Sequence, residues 1–225
     1  GMGEPVIQVE QLRYAYGATI AVADCSFAVE AGEIFGLVGP NGAGKTTTVE
    51  CVEGLRAPTG GAIRVLGRDP WRERASVRPQ IGVQLQATAL PDRLTVWESL
   101  DLYASFYPRS LDKAKLLEQV GLTEKRRTRF GKLSGGQKQR LFIALALIHD
   151  PTVIFLDELT TGLDPQARRA IWELVIGLRE RGKTIFLITH LMEEAERLCQ
   201  RVAIMDHGAI IALDTPANLT RRLGQ

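Results

Sequence analysis

The chain has 225 residues, enough to bury a full core as one large domain or two small ones. Its formal net charge is +2, with 28 Lys and Arg against 26 Asp and Glu, so the charge gives no support to a surface that coats nucleic acid. Its three cysteines, Cys25, Cys51 and Cys199, are odd in number and far apart; they read as reduced thiols packed in a core rather than a disulfide framework. The longest apolar run, residues 141–148, is too short to cross a bilayer, and no signal peptide is expected.

In chain order, residues 6–9, 14–17 and 21–29 alternate as strands and predict an antiparallel sheet edge. Tyr14 or Tyr16 could offer a ring face to a base, although an aromatic residue in a strand is more often packing. Residues 33–38 then read as a short buried strand and 46–55 as a helix. Between them run Gly39, Pro40, Asn41, Gly42, Ala43, Gly44, Lys45, Thr46, Thr47 and Thr48, which fit G-x-x-x-x-G-K-[ST]. Glycines let such a loop bring successive N–H groups around phosphate oxygens. Lys45 would reach the β- and γ-phosphates, the Thr46 hydroxyl would sit on Mg²⁺, and the helix would aim its positive end at the same anion.

Residues 62–66 and 81–86 read as further strands, the second ending in Gln86, which lies either beside the nucleotide or in a solvated loop. From Leu94 the period becomes helical. Val96, Leu100, Leu102, Tyr103 and Phe106 mark one apolar face, and residues 111–120 form another helix stopped by Gly121. Residues 131–137 read as a glycine-containing turn and 140–148 as an apolar helix. The continuous apolar run 153–156 predicts a parallel strand buried on both faces, ending in Asp157 and Glu158. Carboxylates at the C-terminal edge of such a strand lie where α/β sheets bind ligands. Asp157 is placed to hold Mg²⁺, and Glu158 to orient an attacking water. After an amphipathic helix at 165–181, a second buried strand at 184–188 delivers His190 to the same edge as a candidate γ-phosphate sensor. A helix at 192–198 carries Glu193, Glu194 and Glu196 as a solvated acidic patch, and Asp206, His207 and Gly208 mark a hairpin.

One further segment, Leu133, Ser134, Gly135, Gly136 and Gln137, completes a pattern. With the phosphate loop, Gln86, Asp157, Glu158, Gly162, Asp164 and His190 in this order, the chain closely resembles the nucleotide-binding subunit of an ABC transporter over essentially its whole length. The resemblance implies an α/β fold: a RecA-like P-loop core, an antiparallel β subdomain, and a helical subdomain inserted at about 87–150, all within one domain spanning 2–225. It places Tyr16 against the adenine of ATP. It gives Gln86 a contact to Mg²⁺ and the attacking water and a link to a membrane partner, and it sets Asp164 against a second subunit. Ser134, Gly135, Gly136 and Gln137 precede or open a helix whose free N–H groups would cap the γ-phosphate held by that second copy.

The implied activity is Mg²⁺-dependent ATP hydrolysis at a head-to-tail homodimer interface, powering transport through a separate transmembrane permease from the cytoplasmic face of the membrane. Residues 189–196 and the Thr215, Pro216 pair resemble exporters of drugs, lipids and polysaccharides more than importers. The alternative is a non-transport ABC ATPase of nucleic-acid repair or translation; the chain lacks the long coiled coil or the second domain that such proteins usually carry, and no nucleic-acid partner is expected. One departure stands out: Leu159 occupies the position where the family usually has proline.

Overall fold

The computed structural model describes residues 3–85 and 89–223. The first unit is β1 (Ile7–Tyr16), β2 (Thr19–Val29), β3 (Ile34–Val38), α1 (Lys45–Val52) and β4 (Gly60–Val65). Then come the short α2 (Arg74–Val77) and β5 (Ile81–Val83), followed by α3 (Val96–Ala104), α4 (Lys113–Val120) and α5 (Gly135–Leu147). The chain closes with β6 (Val153–Asp157), α6 (Pro165–Glu180), β7 (Thr184–Thr189), α7 (Met192–Leu198), β8 (Arg201–Asp206), β9 (Ala209–Asp214) and α8 (Pro216–Leu223).

Among the described residues one nine-stranded sheet runs in the order β4-β1-β2-β9-β8-β3-β7-β6-β5. Strands β8, β3, β7, β6 and β5 are parallel to one another, whereas β4, β1 and β2 pair antiparallel. A single residue pair, Asp24 with Ala209, ties β2 to β9 and so joins the antiparallel wing to the parallel core. The expected α/β fold with an antiparallel edge is therefore present.

The apolar runs at the centre follow from burial on two faces. Successive side chains of a strand point to opposite sides. Ile154, Leu156, Ile185 and Leu187 enter a core shared with α5, α6 and α7. Their neighbours Val153, Phe155, Phe186 and Ile188 enter a second core with α1 and the antiparallel wing. There Phe35 stacks on Phe27 at 5.2 Å between ring centroids. All three cysteines are buried and free, as their odd number and wide spacing suggested.

Four local expectations need correction. The buried face of α3 is Val96, Ser99 and Leu100, with Tyr103 and Ala104 packed beside them; Leu102 lies on the opposite face and Phe106 beyond the helix end at Ala104, so both are exposed. Strand β5 ends at Val83, short of the expected 81–86, where the Gln84 side chain takes the Asp157 N–H in place of a further backbone pair. Helix α5 starts at Gly135, not after Gln137: Ser134 and Gln137 form a reciprocal capping box that outweighs the low helix propensity of two glycines. Finally, Glu194 is 1% exposed and not part of a solvated patch. Its Oε2 accepts hydrogen bonds from Thr160 Oγ1 and, at 2.9 Å, from Trp172 Nε1. These donors come from the loop after β6 and from α6, so the acidic side chain is drawn inward by partners distant in sequence.

Candidate nucleotide site

The site lies at the C-terminal edge of β3, β7 and β6, where the parallel strands release their chains. Gly44 has φ of 101° and forms the N-cap of α1 without any side-chain cap. A side chain at Gly44 would overlap the Ala21 carbonyl and crowd the Met205 side chain of β8, so only glycine lets the loop close against its support. That support is the β8–β9 hairpin. Gly208 N–H donates to the Ala43 carbonyl at 2.9 Å, and Ala23 N–H donates to the Gly208 carbonyl at 2.8 Å. The hairpin turn has positive φ at both His207 and Gly208, the twist that a two-residue connection requires.

Lys45 is 5% exposed. Its ammonium donates to the Gly39 carbonyl and lies 3.5 Å from that of Thr189, which pins it between the loop and the end of β7. Burial pulls its pKa below the ordinary lysine value, while Glu158 and Asp157 pull it back. Burial raises the pKa of Asp157, Glu158 adds to that rise, and Lys45 opposes it. Glu158 sits at φ of 47°, an uncommon conformation for a residue with a side chain. Its Oε1 accepts from His190 Nδ1 at 3.0 Å, which orients both side chains and leaves His190 Nε2 for a ligand. Leu159, in place of proline, is completely buried in the core beside the helices and contributes packing there.

These groups surround a cavity of about 900 Å³. Of the residues anticipated from sequence, Tyr16, Asn41, Gly42, Gly44, Lys45, Thr46, Thr47, Asp157 and Glu158 line it, and His190 reaches its rim through Glu158. Gly39, Pro40 and Ala43 shape the loop from behind. Tyr16 is 44% exposed, its hydroxyl is 3.2 Å from Thr47 Oγ1, and the Arg56 guanidinium lies 5.1 Å from its ring centroid. Ser134, Gly135, Gly136, Gln137 and Asp164 are not brought to this cavity. They gather on a separate surface, where a Cβ on Gly135 or Gly136 would lie 3.2 Å from the side chain of Leu163 and 3.3 Å from that of Ala167. Two capped helix starts, at Ser134 and at Asp164, thus stand side by side. Gln86 lies outside the described residues.

Several lining residues had no motif to announce them. Gln84 and Gln139 face the cavity, as do Thr161 and the hairpin residue His207. Gln84 sits one strand repeat before Gln86, so the alternation of the strand was the one available signal. The residues fit a nucleotide with a hard divalent cation. No cluster of three or more His, Cys, Asp or Glu capable of holding a metal occurs among the described residues. Mg²⁺ needs no such cage, because it takes one or two protein oxygens and completes its shell from phosphate and water. Thr46 and Asp157, which both line the cavity beside the uncapped turn of α1, would supply that kind of partial set.

The sequence profile of the ABC transporter family matches residues 22–161, a span that includes the phosphate loop, Asp157 and Glu158. The chain belongs to the ABC transporter family. It is 44% identical over 223 residues to Nod factor export ATP-binding protein I of Paraburkholderia xenovorans (strain LB400), covering 97% of this chain and 73% of that protein. It is 41% identical over 224 residues to linearmycin resistance ATP-binding protein LnrL of Bacillus subtilis (strain 168), covering 97% and 72%. Among solved structures, an ATP-binding subunit of an ABC transporter superposes with a TM-score of 0.83 at 31% identity, covering 97% of this chain and 93% of that one. The structure of cbiO1 from Clostridium perfringens, part of the ABC transporter complex cbiONQ, superposes with a TM-score of 0.88 at 26% identity, covering 98% and 92%. This ABC protein is therefore an ATP-binding subunit with a P-loop ATPase site. Among its described residues no helix is long and apolar enough to cross a membrane.

Proposed function

We propose that this ABC subunit hydrolyses ATP between two head-to-tail copies and drives export through a separate permease at the cytoplasmic face of the membrane. The observation that carries the hydrolytic part is the convergence of Lys45, Asp157 and Glu158 on one cavity, with His190 bonded to Glu158. The amides of the phosphate loop and Lys45 hold the β- and γ-phosphates. Thr46 and Asp157 would hold Mg²⁺, which would supply charge neutralisation on the phosphate oxygens. Glu158, oriented by His190, positions a water for attack on the γ-phosphorus and takes its proton. The new P–O bond forms as the bond to the bridging oxygen breaks, and ADP carries away the electron pair.

The dimeric part is supported by the separation of the site. Ser134, Gly135 and Asp164 are exposed, Gly136 and Gln137 are half-buried, and all five are removed from their own cavity, on a surface suited to meet the nucleotide of a second copy. Export is supported by the relatives named for Nod factor export and linearmycin resistance. A groove of about 280 Å³ between the core and the helices suits a permease segment; Leu55 and Val83 leave 54% and 37% of their surface exposed along it, and buried Glu53 stands in its wall.

Glu158→Gln tests the central claim. The variant should bind ATP with unchanged affinity and lose at least about 100-fold in turnover, because the amide cannot take the proton. Wild-type turnover by this variant would remove Glu158 from the reaction.

A further inference from the structure

Strand β5 and helix α5 meet at two points. At the first, Gly82 lies directly against α5: a Cβ there would overlap the Ala146 carbonyl, so the backbones touch without side chains between them. At the second, Gln84 Nε2 donates to Gln139 Oε1 at 2.7 Å. Gln139 and Ala146 are two turns apart on α5, and Gly82 and Gln84 are one repeat apart on the strand line, so both contacts lie on the same pair of faces.

The other end of the Gln84 amide is also engaged. Its Oε1 accepts from the backbone N–H of Asp157 at 3.0 Å. Regular pairing of β5 with β6 stops at Val83 and Phe155, with one more backbone bond from Gln84 N–H to the Phe155 carbonyl. The next donor on that side of β6 is Asp157 N–H, and the Gln84 side chain stands in for the missing strand. Gln84 is 8% exposed, and a buried amide that satisfies two partners at once has a fixed position.

We propose that Gln84 is a positioning residue for hydrolysis, whose amide registers the helix starting at Ser134 against the strand end that carries Asp157 and Glu158. The chemistry of the position supports this. A close backbone contact such as Gly82 against Ala146 sets the separation but does not by itself fix small slides. A directional hydrogen bond at the cavity wall fixes the slide as well. Displacement of the Ser134 end of α5 by a second copy is then passed through Gln139 and Gln84 to the main chain of Asp157. The carboxylates reach their working geometry only when the signature turn is seated. The inference rests on the reading of Asp157 and Glu158 as hydrolytic groups.

The test is a double-mutant cycle on the full chain with Gln84→Met and Gln139→Leu, measuring kcat and KM for ATP, nucleotide-binding stoichiometry and thermal midpoint. Each single variant should lower kcat about tenfold with KM within about twofold and full binding stoichiometry, since ångström-scale misplacement slows chemistry more than binding. The double variant should be no slower than either single one. Unchanged kcat in either single variant, losses that multiply in the double, or a loss of kcat matched by lost stoichiometry would overturn the proposal. Should Gln84→Met fail to fold, Gln139→Leu decides alone, because it leaves the bond to Asp157 intact: kcat reduced at constant KM and stoichiometry supports the relay, and wild-type kcat overturns it. Glu158→Gln run alongside separates the two levels. If it stops hydrolysis while the Gln84 and Gln139 variants do not, the relay alone fails; if it hydrolyses normally, the underlying reading fails.

Discussion

Two glycine-rich helix starts in this ABC protein are finished in opposite ways. The first turn of α1 has no side-chain cap, and Lys45 beside it is buried. The first turn of α5 is capped from both sides: Gln137 N–H donates to Ser134 Oγ at 3.2 Å, and Ser134 N–H donates to Gln137 Oε1 at 2.9 Å. An uncapped turn keeps its N–H groups free for an anion held within the same chain. A capped turn is complete in itself and can stand exposed until a ligand arrives from elsewhere. On the proposed reading, this difference lets the two helix starts divide one task, affinity on one side and completion on the other.

The strongest test of that division is Lys45→Ala, which should lower ATP turnover by about 100-fold or more because it removes the charge nearest the transferred phosphate. Thermal unfolding should be little affected, since the substitution also removes the cost of burying an ammonium. Mixing then sharpens the comparison. A Lys45→Ala chain and a Gly135→Asp chain should each be inactive alone. Combined, they should recover up to about a quarter of the wild-type rate, because half of randomly paired dimers are mixed and each of those holds one complete site. A mixture as inactive as its parts would show that the signature turn does not act across copies.

Smaller effects probe what holds the two regions in place. Glu194→Ala should destabilise the fold by about 3 kcal/mol in chemical denaturation, because it leaves the Thr160 hydroxyl and the Trp172 N–H buried without an acceptor. Glu53, at the far end of α1, has its pKa raised from 4.5 to about 8, chiefly by burial and further by Glu50 and Asp157. The folded state therefore binds the extra proton, and the stability this contributes is full below pH 4.5 and lost as pH rises through about 8. Glu53→Gln should remove that slope and leave the variant more stable than wild type at pH 8 by roughly 2–4 kcal/mol, read as a difference in denaturation midpoints. The smallest change is Ser134→Ala, which should cost about 1 kcal/mol in stability as a lost helix cap, measurable by the same titration.

Sequence alone reached far in this protein, and the reasons are local. The phosphate loop, the two apolar strands ending in carboxylates and in His190, and the hairpin glycine are each encoded by contiguous residues whose conformational needs are particular. A glycine with no Cβ, a run of aliphatic residues, or a turn with positive φ leaves a mark that can be read without knowing what lies nearby. What tertiary structure decided depends on partners from distant parts of the chain. Glu194 looks like any charge on a helix until Thr160 and Trp172 are seen to close around it. Gln84 looks like a strand-end residue until Asp157 and Gln139 meet its two ends. The position of Ser134 outside its own cavity is likewise a matter of packing, fixed where α5 touches Gly82 and Leu163. Polar side chains gain their roles from donors and acceptors that only the folded chain brings within reach, and hydrogen bonds between residues 55 or 73 apart leave no pattern in the sequence.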